Sequence, residues 1–407
     1  MNKPIKIFGE SIIDEKTIKQ LENCMTDTSI GVLTADAHFG YSHPIGGAIA
    51  YKDMLSVSGV GFDIACGNKA VRTNIKATDI DISKIMDEIF KRVSFGVGRP
   101  NNEPVDHDVF DLISQSYFKP QRKLIDVARN QLGTVGSGNH FVNLMVDQDG
   151  LLWIAVHFGS RGFGHKTATG FLAMAQGLTF TDKGKEGLMD AKPVLLDINS
   201  EMGYNYYMAM IVAGEYAYAG RDTVVNKVLE ILGNPEVTFN VHNHHNFAWL
   251  ENHFDEEYIV TRKGCTPAFP GQYGFIGANM RDTSFIIRGV DSDTSKEGLY
   301  STVHGAGRVM SRTAAAGKVK WMRADANSPK RPVTVTKGSV DFEKVKTNMS
   351  NHDVILRGAG ADEAPECYKS LNQVLQYQGL DETISIVHAL RPIGVAMAGD
   401  DFDPYKD

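Results

Sequence analysis

The chain has 407 residues, 42% of them hydrophobic and 22% charged, values ordinary for a globular protein with a sizeable core. Its formal net charge of -7, from 42 Lys+Arg against 49 Asp+Glu, argues against a nucleic-acid coat protein, which would be strongly basic. The four cysteines, Cys24, Cys66, Cys265 and Cys367, form no CxxC pair, which excludes a zinc ribbon or disulfide framework and suits a reducing cytosol.

Residues 1–12 carry charges and a glycine but no apolar run, so no signal peptide is expected. No stretch of about 18 uncharged apolar residues occurs, so no membrane span is expected. Strand-like runs follow at 30–35, 153–157, 258–261 and 284–288. Apolar spacing predicts a helix over 208–232, with Gly233 as its stop. Turn and charged residues mark surface loops at 98–108, 181–193 and 291–297. Strands and helices mix without regular alternation, which reads as α+β. No repeat, low-complexity tract or linker divides the chain.

The 40 glycines gather in clusters beside chemically capable side chains: GVGFDIACG at 59–67, GTVGSGNHF at 133–141, HFGSRGFG at 157–164 and HGAGR at 304–308. Glycine lets backbone approach a ligand and bares N–H groups to phosphate. Each motif has a bland reading. A lone Cys66 is most often a buried small hydrophobe, and a lone His140 or His157 a structural histidine. Together, Asp63, Cys66, His140, His157 and either His244 or His245 of HNHHN offer more ligands than a closed zinc site uses, which points to two metals. A histidine on a glycine loop beside arginine, as His304 is beside Arg308, can attack an activated phosphorus, or the loop can simply bind phosphate. The basic stretch Arg308, Arg312, Lys318, Lys320, Arg323, Lys330 and Arg331 reads on charge alone as a solvated face.

GVGFDIACG, GTVGSGNHF, HFGSRG, HHN, TRKG, GQYG, SFIIRG and HGAGRVMSR, in this order from about Asp36 to about Gly399, resemble the RtcB RNA ligases. The resemblance implies one large α+β domain over 1–407, with mixed sheets around a deep metal- and nucleotide-binding cleft. It implies a ligase that uses GTP and two Mn2+ ions to join RNA 3′-phosphate or 2′,3′-cyclic phosphate ends to 5′-hydroxyl ends, in RNA repair or tRNA splicing. Its metal ligands map to Asp63, Cys66, His140, His157 and His245, its guanylylated histidine to His304 and the orienting aspartate to Asp36. Nucleotide contacts map to Asn139, His140, Phe141, Asn143, His304, Gly305, Ala306 and Gly307. Phosphate and RNA contacts map to Arg161, Arg308 and Arg312. A cytoplasmic monomer, with room for an activating protein, completes the expectation. The chain departs from the family at Asn143, where a glutamate is usual, at Cys265, where alanine is commoner, and at Met397-Ala398-Gly399, where the family carries Lys-Gly. The rival readings are a metal-dependent phosphoesterase or cyclic-phosphate hydrolase, which would not need His304, and a catalytically silent nucleic-acid-binding module.

Overall fold

A computed structural model describes residues 4–184, 188–322 and 331–399. Two sheets carry the architecture. The smaller has the order Ile5–Ile7, Ile30–His38, Ile45–Tyr51, Glu256–Lys263, Asn246–His253, parallel in its first pair and antiparallel after it. The larger runs Val237–His244, Gly67–Lys76, Leu151–Phe158, Phe141–Val146, Ile384–Met397, Ser284–Gly289, Tyr273–Ile276, all antiparallel. Ile355–Arg357 adds in parallel to Ile384–Met397. The mixed fold matches the α+β expectation.

The central strand Leu151–Phe158 reads LLWIAVHF because both of its faces are covered, and its interior is fully buried. One face is packed by the helix Glu201–Ile231, which is 31 residues long. Ser200 caps that helix by accepting the Gly203 N–H at 3.0 Å. This cap places the start at Glu201, ahead of the position read from apolar spacing, because Gly203 and Asn205 obscure the first turns in sequence. Its first half packs on the helix Arg161–Met174 around Phe163, Phe171, Tyr206 and Tyr216. Its second half, through Val224, Val225 and Val228, shares a core with the sheet and the helix Ile82–Arg92.

The four strand expectations fall inside longer strands, and residues 98–108 are loop. The described residues of 181–193 are also loop; 185–187 lie outside them. The expected loop at 291–297 instead contains the short helix Asp293–Glu297, because Ser292 Oγ accepts the Ser295 N–H at 2.9 Å. Gly317–Met322 and Arg331–Lys337 pair antiparallel, and Arg323 and Lys330 of the basic stretch lie outside the described residues. No described helix is long and apolar enough to cross a membrane.

The chain passes between the two sheets most directly at one residue. Val237–His244 belongs to the larger sheet and Asn246–His253 to the smaller, so His245 is the single residue between them. Asp36 enters from the smaller sheet, where pairing of Ile30–His38 with Ile45–Tyr51 is interrupted between Leu33 and His38. Such an irregularity re-aims side chains that a regular ladder would fix.

Candidate active site

Asp63 and Cys66 sit on the turn that leads into Gly67–Lys76, His140 on the residue before Phe141–Val146, and His157 near the end of Leu151–Phe158. These sequence-distant positions converge with His245. Their ligand atoms form two groups, Asp63–Cys66–His140 and Cys66–His157–His245, each with all atoms within 4.8 Å of one another. Cys66 is common to both. Its Sγ lies 3.6 Å from Nε2 of His140 and 3.6 Å from Nε2 of His157, and His140 Nε2 lies 3.1 Å from Asp63 Oδ2.

The opposite ring nitrogens are already committed. His157 Nδ1 lies 2.7 Å from Asn68 Oδ1, and His140 Nδ1 lies 3.0 Å from the Val135 carbonyl. The Asn68 contact fixes the tautomer of His157 that leaves its Nε2 unprotonated towards Cys66, the arrangement seen behind metal-bound histidines, whereas His140 Nδ1 also faces Arg161 Nη1 at 3.0 Å. Buried His245 Nδ1 has no protein partner. An orphaned nitrogen beside thiol, imidazole and carboxylate fits a divalent transition ion at each group.

Burial sets the charges. Desolvation pushes the imidazoles of His157 and His245 well below the usual histidine range, so both are neutral and can donate lone pairs. Burial, reinforced by the Asp63 carboxylate, pushes the Cys66 thiol up. Burial would also raise Asp63, but His140 and the Arg161 cation hold it below the ordinary carboxylate range.

His304 follows the strand Ser301–Val303, and its ring stands edge-on to His245 with centroids 5.0 Å apart. Its Nδ1 lies 2.7 Å from Oδ2 of the fully buried Asp36, an ion-pair contact. The same Oδ2 accepts the N–H groups of His304 and Gly305 at 3.1 and 3.3 Å. Thr34 donates its hydroxyl to Oδ1 at 2.6 Å. Burial opposes the charge on Asp36, but His304 and these donors hold its pKa below the usual value. Lys369 Nζ donates to the carbonyls of Ile12, Ala35 and Ala37, clamping the strand on both sides of Asp36.

Arg161 opens its helix with φ 52, a strained left-handed conformation for a side-chain-bearing residue. Its guanidinium fills the space over Gly136, where a Cβ would overlap Nη2. Asn139 Nδ2 lies 3.4 Å from His157 Nε2, and Phe141 stacks on the His157 ring. Asn143 is buried, and its Oδ1 has no partner.

Arg308 and Arg312, expected as phosphate and RNA contacts, are each engaged by neighbouring protein groups. Arg308 donates to the Met310 carbonyl, the Tyr368 hydroxyl and the Asp362 carbonyl, and its Nη1 lies 3.5 Å from Glu363. Arg312 is ion-paired with Asp362 and Glu363. Both guanidinium groups thus lie against buried carboxylates. Sequence reasoning missed Asp362 and Glu363, and also Asn68, Arg221 and Lys369.

A family model described as "tRNA-splicing ligase RtcB" matches residues 20–122 and 113–398, nearly the whole chain. The chain belongs to the RtcB family. Among its relatives, the tRNA-splicing ligase RtcB of Archaeoglobus fulgidus is 29% identical, over 95% of this chain and 92% of its own length. The RNA-splicing ligase RtcB of Escherichia coli K12 is 29% identical, over 96% and 97%. The tRNA-splicing ligase RtcB of Thermococcus kodakarensis is 27% identical, over 97% and 95%. The RtcB assignment and the paired ligand groups rest on separate observations, one on whole-chain similarity and the other on the positions of side chains.

Proposed function

We propose that this RtcB-family protein is a GTP- and manganese-dependent RNA ligase that joins RNA 3′-phosphate or 2′,3′-cyclic phosphate ends to 5′-hydroxyl ends through a guanylylated His304. Membership of a family of RNA-splicing ligases supports the RNA ligase activity. The observation that carries the finer reading is the placement of His304 between buried Asp36 and the ligand group of Cys66, His157 and His245.

The chemistry follows from which atoms are engaged. With Nδ1 against Asp36, His304 presents Nε2 for attack on the α-phosphorus of GTP. An N–P bond forms, the bond to the β-phosphate oxygen breaks, and pyrophosphate departs. The ring becomes cationic in this step, and the Asp36 carboxylate stabilises that charge while retaining the proton on Nδ1. The RNA 3′-phosphate then takes GMP from His304, which regenerates the imidazole and leaves an RNA-diphosphate-guanosine end. The 5′-hydroxyl attacks the RNA-side phosphorus and expels GMP. A cyclic phosphate end is opened by water beforehand.

Two Mn2+ ions held by Asp63, Cys66, His140, His157 and His245 would neutralise phosphate charge as Lewis acids. Phe141 and Asn143 would face the base. Asn139, Gly305, Ala306 and Gly307 would line the phosphates with Arg161. The amide of Asn143 can both donate and accept, so base choice is a point to measure, not to assume.

The test is intact-protein mass after incubation with Mn2+ and either GTP or ATP, for the wild type and His304→Ala. A GMP-sized adduct absent from the variant is the expected result. An AMP-sized adduct would transfer the reading to ATP. No adduct in folded, metal-loaded protein would overturn the ligase mechanism in favour of a phosphoesterase.

A further inference from the structure

Arg221 lies on the helix Glu201–Ile231 and is completely buried. A buried guanidinium usually meets a carboxylate, because leaving the charge unpaired is costly. This one meets only neutral acceptors. Its Nη1 donates to the carbonyls of Ala65 and Phe158, at 3.0 and 2.7 Å. Its Nε donates to His242 Nε2 at 2.9 Å, and its Nη2 lies 2.9 Å from His244 Nδ1. Asp222, the next residue, turns instead to Lys69 and His242. The Tyr218 ring lies under the guanidinium at 5.2 Å and stacks on His244. Burial lowers the Arg221 pKa to about 10, so it remains a cation at neutral pH.

Three of the four acceptors have one property in common. Ala65 precedes Cys66, Phe158 follows His157, and His244 precedes His245. One rigid, planar group therefore ties down the backbone beside three ligand positions that lie far apart in the sequence. Ala65 is held at φ 58, a conformation that a side-chain-bearing residue adopts only when its surroundings impose it. The arrangement also accounts for HNHHN. His242 and His244 receive Arg221, and His245 is the member left to face Cys66 and His157.

We propose that Arg221 is the positioning residue of the metal centre, its guanidinium setting the spacing of the Cys66, His157 and His245 segments so that they can hold an ion. The proposal rests on the reading of these ligand groups as a metal site. It is tested by titrating metal-free wild type, Arg221→Met, Arg221→Lys and Tyr216→Phe with Co2+, following the thiolate-to-cobalt charge-transfer absorption and the affinity. Tyr216→Phe is the control for simple loss of packing. It removes a hydrogen bond of the same helix to the Ala128 carbonyl, away from the ligand segments.

The expected result is a Co2+ affinity about 10–100-fold weaker in Arg221→Met, with a diminished thiolate band in protein whose circular dichroism shows it folded. Arg221→Lys keeps the charge but cannot span the four acceptors, and is expected to recover only part of the loss. If Arg221→Met does not fold, Arg221→Lys carries the comparison. Affinity and band unchanged from wild type, or reduced no more than in Tyr216→Phe, would overturn the positioning role. Absence of a thiolate band in the wild type would overturn the metal-site reading itself, and the proposal with it.

Discussion

At the scale of single residues, Asp36 is heavily engaged, because one carboxylate oxygen accepts two backbone N–H groups and the other accepts the Thr34 hydroxyl. Asparagine is uncharged and has one acceptor oxygen, so Asp36→Asn removes the carboxylate charge that faces His304 Nδ1. The expected outcome is a rate of adduct formation at His304 about 10²–10⁴-fold slower, read by intact mass against time. A stability loss of about 1–3 kcal/mol should accompany it in urea unfolding. The folded carboxyl is held below its unfolded value, so the wild type's advantage is present above pH of about 4 and fades as pH falls through the folded pKa. An advantage that grew with acid would contradict the assigned charge. The residue scale is also where the sequence was most legible. Residue type alone singled out Asp63, Cys66, His140 and His157, but could not separate His244 from His245. That choice depends on which ring faces Arg221, a contact made across a distant helix.

At the scale of elements, ligands are aimed by short irregular segments between regular ones. Gly136 is the clearest case, with φ 84 and no room for a Cβ beneath Arg161. Gly136→Ala must both strain the backbone and displace the guanidinium. It should cost more than about 1 kcal/mol in stability and weaken retention of phosphate-bearing substrate, seen as a raised KM for RNA. An unchanged KM would remove Arg161 from substrate binding. Four strands were readable from their apolar runs, and the long helix from its spacing. Its first turns were not, because Gly203 and Asn205 look like breakers until Ser200 is seen to cap them. Asp362 and Glu363 were invisible for another reason. They matter only through pairing with Arg308 and Arg312, and a linear reading shows two cations without the partners that neutralise them.

At the scale of the whole molecule, the site lies where the two sheets meet, with His245 between them, Asp36 arriving from the smaller sheet and His304 from the end of Ser301–Val303, which pairs with Cys265–Pro267. An ion bound there ties both sheets to one point and binds the native state alone. Adding Mn2+ at about 100 times its Kd should raise unfolding free energy by about 2.7 kcal/mol without changing the urea dependence, and a chelator should reverse it. Burial and Asp63 hold the Cys66 thiol protonated in the metal-free protein, so uptake of an ion releases that proton. Affinity should therefore strengthen with pH, by about tenfold per unit while one proton is displaced. Ligands, His304 and Asp36 all come from one chain, so one copy contains the complete constellation.

Were both groups to hold ions as proposed, the sharing of Cys66 would make damage to the centre unequal. Losing His245 leaves the trio of Asp63, Cys66 and His140 whole, and losing Asp63 leaves Cys66, His157 and His245 whole. Losing the one sulfur leaves two pairs and no trio. The centre is thus built like an arch on a single keystone: each outer ligand can be removed at the cost of one span, whereas the thiol takes both. A lone oxidation or alkylation event at this atom would silence the two positions together, and the enclosure of Cys66, only 5% exposed, shields the one atom on which both depend.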